Sequence, residues 1–340
     1  MTEKKVKIKD VAEKAGVSVT TVSMVLSDKG RISPETIARV NKAVDELGYI
    51  KNRAASNLRS QRSELIGLIV RDISDPYYSE VAAGLSDVLE EQGYMLFLAQ
   101  SGSSHERFDQ CISTMLAQGV GGIVFCPIRD TGLPSEHSLQ DLDIPLVCVA
   151  RAKVSQDIDY VGPDNMQAAK MATEHLIQQG HRQIAYVGGQ SDSLSRAERL
   201  GGYCSTLMQF GLPFKPDWVV ECEKDMAASS NAVRKLISEH PTITAILCHY
   251  SVTALGALYG VNGTNRSVGK DNHIGQQIAL IGFDDVPEAT LTQPPLTFIS
   301  TPIREIGRKA GLRIIRQMVS KDQVRQSLIL TPEMILRESA

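Results

Sequence analysis

Two fold classes follow one another in this sequence. A small all-α helix-turn-helix headpiece comes first, and then an α/β body of two lobes, each a doubly wound parallel sheet. Three observations predict them. Apolar residues recur at helical spacing through the first ~60 residues; from Glu64 they gather in short, near-continuous runs separated by amphipathic stretches. Such runs suit strands buried on both faces, as parallel sheets require. Charge divides at the same place: residues 1–62 carry 13 basic against 7 acidic side chains, net +6, and the remainder 23 against 32, net −9. A split of this kind marks a basic module joined to an acidic body, although the whole chain is only −3.

In the headpiece, Ile8, Val11, Ala12 and Ala15 share one helical face and Gly16 interrupts it. Ser18 offers an N-cap to a second helix whose inner face is Val22, Val25 and Leu26. Asp28-Lys29-Gly30 breaks that pattern. Ser33 then caps a third helix with Pro34 at its first position, where a missing N–H costs nothing. Ile37, Val40, Ala43, Val44 and Leu47 form its stripe, and Gly48 suits its C-terminal cap. The short turn between the first two helices makes a helix-turn-helix unit.

In the body, strands are predicted at Leu65–Val70, Met95–Ala99, Gly122–Pro127, Pro145–Ala150, Gln183–Gly188, Ala245–Cys248, Ile278–Gly282 and Thr297–Ser300. Helices are predicted at Ser79–Gln92, Glu106–Gln118, Met166–Gln179, Arg196–Phe210, Ala228–Glu239 and Glu305–Val319. Eight strands in alternation suit two lobes facing a cleft, with a single barrel as the topological rival. The expected boundaries are 1–50 for the headpiece, 51–62 for a linker and 63–340 for the body, with crossings between lobes near 162 and 292. The polar segment Asn262–Gln277 reads as an exposed loop.

Several functions are excluded. No apolar run approaches the ~18–20 residues that cross a bilayer. The charged start, Met1-Thr-Glu-Lys-Lys-Val-Lys-Ile-Lys-Asp10, has no secretory apolar region, so a cytoplasmic, nucleoid-associated protein is expected. The six cysteines are widely spaced and seven histidines are dispersed, so neither disulfide nor metal is expected. Gly188-Gly189 follows a strand without a phosphate-binding motif, and His181 reads as part of a turn. Asp284-Asp285 has no identifiable nucleophile or base beside it, so no catalysis and no cofactor are expected.

The run Ile8–Leu26 resembles the helix-turn-helix of the LacI/GalR repressor family, and Tyr49–Arg59 is similar to that family's hinge helix. Leu65-Ile-Gly-Leu-Ile-Val70, Asp75-Pro-Tyr-Tyr78, Gly180-His-Arg-Gln-Ile-Ala185, Arg199-Leu-Gly-Gly-Tyr203 and Ile281-Gly-Phe-Asp-Asp285 follow in the family's order. The resemblance spans essentially the whole chain. Arg71-Asp72, Pro163–Ala168 and Gly201–Cys204 are similar to the branch linked to maltose genes. It implies a periplasmic-binding-protein-like effector domain, double-stranded operator DNA as partner, a homodimer, and a small sugar-like effector. The function implied is transcriptional repression of carbohydrate genes.

The resemblance also assigns residues. Val19, Thr20 and Met24 match base-reading positions; Thr21, Ser23 and Ser33 match positions that hold phosphates. Many relatives carry Arg where this chain has Met24, and Met cannot read guanine bidentately. In the hinge, Asn52, Ala55 and Leu58 match DNA contacts, with Leu58 as a minor-groove wedge. In the body, Tyr77 and Tyr78 match aromatics placed against the ligand, with half-buried packing as the alternative. Arg196 and Arg199 flank the family's ligand-binding arginine, and the sequence does not choose between them. Asp284 matches an acidic ligand contact, with a helix cap as its alternative. Two departures stand out: Tyr250-Ser251 replaces a common Asn-Asp pair, and Ala150-Arg151 replaces a common Asp. Arg151 would favour an anionic ligand if it is not held in a surface ion pair.

Overall fold

In the N-terminal unit three helices pack around a small core: α1 (Ile8–Ala15), α2 (Val19–Leu26) and α3 (Pro34–Leu47). Gly16 closes α1 at φ 64°, the left-handed conformation that favours glycine. The Ser18 hydroxyl accepts the Thr21 N–H at 3.1 Å and so caps α2, and Ser33 caps α3 from Thr36 N–H at 3.3 Å. Val11, Ala12, Ala15, Val22, Val40 and Ala43 are buried together. The structure, a computed structural model, describes residues 6–26, 30–49, 63–128, 139, 142–150, 158–270, 276–320 and 324–340. Residues 1–62 and 63–340 form separate compact units.

The second unit holds two sheets. The first lobe contains β1 (Leu65–Val70), α4 (Pro76–Glu91), β2 (Met95–Gln100), α5 (His105–Ala117), β3 (Ile123–Phe125), β4 (Leu146–Val149) and β5 (Asp159–Pro163). The second contains α6 (Asn165–Gln178), β6 (Ile184–Val187), α7 (Leu194–Gln209), β7 (Val219–Val220), α8 (Met226–Glu239), β8 (Ala245–Cys248), α9 (Ser251–Asn262), β9 (Ser267–Val268), β10 (Gln277–Phe283) and β11 (Thr297–Ser300). The chain then returns with α10 (Ile303–Ser320) and β12 (Ser327–Leu330) to the first lobe, and with β13 (Glu333–Ile335) to the second. Strand order is β12-β5-β4-β3-β1-β2 in one sheet and β13-β11-β10-β8-β6-β7 in the other, with β9 beside β10. All pairs are parallel except β11 with β13. Each sheet is covered by apolar clusters on both faces, so its strands read as continuous apolar runs.

Among the described residues the lobes are joined at Asp164, at Thr301–Pro302 and at Thr331–Pro332. The crossing expected near 292 is therefore corrected. Thr292 lies between a 3-10 turn, Pro287–Thr290, and β11, and the return follows β11. The exposed loop expected over Asn262–Gln277 is corrected only in part, residues 271–275 lying outside the described ones. Ser267–Val268 pairs with β10, Val268 is buried, and Arg266 donates to the Ile243 and Gln277 carbonyls at 2.6 and 2.9 Å.

His181 is buried and its Nδ1 lies 3.0 Å from the Thr244 hydroxyl. Burial, with lesser contributions from His175 and Arg182, holds its pKa down to about 4. The folded value lies below the unfolded ~6.5, so the unfolded chain takes up the proton first. Stability is therefore complete above that pH and declines as pH falls toward 4. Between about pH 7 and 4.5 the wild type should lose roughly 2–3 kcal/mol relative to His181→Gln in urea denaturation. A constant difference between the two proteins would show that His181 does not titrate in this way.

Candidate nucleic-acid interface and ligand cleft

On α2, Val22 is fully buried, whereas Thr20 and Met24 are exposed, Met24 at 40%. Thr21 and Ser23 are half-buried. Val19, expected to face outward, is half-buried and packs on the headpiece core. Thr21 Oγ1 lies 2.8 Å from Ser18 Oγ, and Ser33 Oγ 2.9 Å from Thr36 Oγ1, so these hydroxyls also fix the starts of α2 and α3. Asn52, Ala55 and Leu58 lie outside the described residues, as does Arg151.

In the second unit, Asp75 caps α4 by accepting the Tyr77 N–H at 3.1 Å. Tyr77 and Tyr78 enter the first lobe's core with their rings edge-on, centroids 5.3 Å apart. Tyr77 also lines the cleft cavity. Tyr78 does not lie along that lining; helical spacing turns its ring inward.

Arg199 is fully buried and anchors a polar network. Nε donates to Asn165 Oδ1 at 2.8 Å, Nη1 to the His249 carbonyl at 2.6 Å, and Nη2 lies 3.4 Å from Asp284 Oδ1. Its guanidinium stacks 4.4 Å above the Phe283 ring. Asn165 donates onward to Glu198 at 2.8 Å, and the Thr301 hydroxyl donates to Asp284 at 2.9 Å. Asp284 holds φ 65°, a left-handed conformation unusual for a non-glycine residue. Its carboxylate meets Arg199 and Thr301, and the 3-10 turn that follows, Pro287–Thr290, has no side-chain cap. Asp285 instead forms a bidentate pair with Arg337, at 2.7 and 2.8 Å.

Arg196 is half-buried and its Nε donates to the Gly188 carbonyl at 3.1 Å. The structure therefore separates the two arginines: Arg199 belongs to the Asp284 network, and Arg196 to the turn after β6. The Tyr250 ring packs edge-on against His249 at 4.2 Å, and His249 Nδ1 lies 2.6 Å from Tyr186 OH. Burial, opposed in part by Arg199 and Arg196, pushes the Tyr186 phenol up, which keeps it neutral.

A cavity of about 900 Å³ opens between the lobes, with Asp75, Tyr77, Lys224, Tyr250, Asp284 and Thr301 in its wall. Apolar side chains, Leu255, Val286 and Ile303, line it beside the carboxylates. This mixture of apolar surface and a few placed polar groups suits a small polar organic ligand. Among the described residues no cluster of His, Cys, Asp or Glu could hold a metal ion, and no helix is long and apolar enough to cross a membrane.

Sequence reasoning missed Asn165, Thr301, His249 and Lys224. Asn165 and Thr301 carry a readable signal only after the crossings are known, because each lies beside one of them. Lys224 has no local signal.

Comparisons with known proteins agree with both regions. Residues 7–52 match the family of bacterial regulatory proteins, lacI family. Residues 63–337 match the periplasmic binding proteins and sugar binding domain of LacI family. The maltose regulon regulatory protein MalI of Escherichia coli (strain K12) is 45% identical, with 98% of each chain covered. The lac repressor dimer bound to operator and the anti-inducer ONPF has a TM-score of 0.87 at 26% identity, covering 99% of each chain. A complex of the transcriptional regulator CelR with cellobiose has a TM-score of 0.73 at 27% identity, covering 98% of this chain and 100% of that one.

Proposed function

Since the chain belongs to the LacI family of bacterial regulatory proteins, we propose that it is a sequence-specific repressor of carbohydrate genes. The family and these relatives are regulators, not enzymes. In this reading two headpieces of a homodimer hold a palindromic operator, and a sugar-like ligand in the interlobe cleft changes that hold. The observation that carries it is α2: a capped helix in a +6 unit, with Thr20 and Met24 turned outward. The relative linked to a maltose regulon supports the gene class, and the cellobiose complex supports the ligand class.

The cleft network supplies a route from ligand to the joints between the lobes. Asn165 follows the first crossing and Thr301 forms the second, and both bond to the Arg199–Asp284 pair. A ligand that engages this pair acts directly on the joints between the lobes. It shifts operator affinity only as far as it binds one lobe arrangement better than another.

The test is mobility shift of the full chain on DNA upstream of its own gene, across salt concentrations and with maltose, glucose and their phosphates added. Sequence-specific retardation that weakens steeply with salt and changes with one sugar is expected. Binding indifferent to sequence would overturn the reading. Met24 lacks the guanidinium fork, so binding sites selected from random DNA should show no invariant guanine opposite it. Met24→Arg should raise the preference for guanine there by about tenfold, within the ~1–3 kcal/mol of a bidentate contact.

A further inference from the structure

Asp75 and Lys224 stand on opposite lobes, 149 positions apart in sequence, yet Lys224 Nζ lies 2.5 Å from Asp75 Oδ2. Asp75 is fixed by its capping bond to Tyr77 N–H. Lys224 leaves the segment between β7 and α8, and its ammonium also lies 4.7 Å above the Tyr250 ring. That ring is itself seated edge-on against His249. The aspartate end is held at the start of α4 and the lysine end by the Tyr250 ring. All three side chains border the same cavity, and none of them belongs to a covalent crossing between the lobes.

We propose that Asp75 and Lys224 form a latch between the lobes, seated on Tyr250, that favours the closed arrangement of the cleft. The proposal rests on the ligand-cleft reading above only for the purpose of closure. The lysine side chain is 40% exposed and the aspartate 15%, so the pair is partly screened by solvent. A pair of this exposure tilts the closed-to-open ratio by about two- to fivefold. That is enough to bias a hinge and small enough for a ligand to override. Breaking it raises the open population without unfolding either lobe, because each keeps its own buried sheet.

Hydrogen exchange of the full-length protein, without ligand or DNA, tests this directly. Lys224→Met should accelerate exchange about two- to fivefold in segment 72–82 of the opposite lobe. Asp75→Asn, which keeps an acceptor for Tyr77 N–H, should do the same in segment 221–226. The double variant should add nothing further, and Lys224→Arg should exchange like the wild type. High salt should reproduce the effect in the wild type but not in the double variant. Acceleration confined to the mutated lobe, additive effects, or a general rise through β1 and β10 would each overturn the latch. Since neither operator nor sugar enters the experiment, its failure leaves the DNA-binding reading standing, and the converse also holds.

Discussion

Replacing Arg199 with Met should cost about 3–5 kcal/mol of stability, far more than replacing Asp284 with Asn. The asymmetry follows from what each change leaves behind. Without Arg199, the Asn165 carbonyl oxygen, the His249 carbonyl and the Asp284 carboxylate all lose their guanidinium donor in a largely buried site. A buried acceptor left without a partner costs about 1–3 kcal/mol, and more when it carries charge. Asp284→Asn leaves Arg199 with its bonds to Asn165 and His249, at 2.8 and 2.6 Å, and leaves an oxygen for Thr301. That variant should lose roughly 1–2 kcal/mol. Urea denaturation of both proteins measures the difference; equal losses would mean that the arginine is not the hub. In the proposed regulator, Asp284→Asn is then the useful variant, because it stays folded while its ligand response is altered.

The same network shows where sequence is informative and where it stops. Asp284 and Arg199 stand in motifs that match family landmarks, so their neighbourhood was legible. The choice between Arg196 and Arg199 was not, since a spacing of three places both on one helical face and only the distant Asp284 separates them. Strands with continuous apolar runs, such as Leu65–Val70 and Ala245–Cys248, were legible to within a residue. β5 was not, because it opens on a buried aspartate. Arg313 Nε, Gln317 and the Gln326 N–H satisfy Asp159, and these arrive from α10 and the segment before β12. α9 was missed for the opposite reason. It is apolar on nearly every side, so it shows no stripe to mark it as a helix. The Asp75–Lys224 contact lies furthest from sequence, because nothing local relates two residues on different lobes.

Gly84→Ala should destabilise the first lobe by roughly 2–4 kcal/mol, although alanine is the better helix former. Gly84 lies in the middle of α4 with its missing side chain directed at α10. A Cβ there would sit 1.9 Å from the Arg304 carbonyl oxygen and 2.8 Å from its carbon. Those atoms are backbone, so no rotamer change relieves the overlap, and the helices must separate. Separation exposes Val81, Leu85, Ile306 and Ala310, all buried in the same core. The helix-propensity gain of up to ~1 kcal/mol does not offset that loss. Gly307, whose Cβ would fall 2.2 Å from the Val81 carbonyl, should respond alike. Gly311 is the control: its nearest neighbours are side-chain carbons of Leu85 and Val88 at 3.1–3.3 Å, which can yield by a few tenths of an ångström. Gly311→Ala should therefore stay within about 1 kcal/mol of the wild type. Urea midpoints for the three variants decide the matter. If Gly84→Ala were as stable as Gly311→Ala, close approach of the two helix backbones would not be what holds α4 against α10.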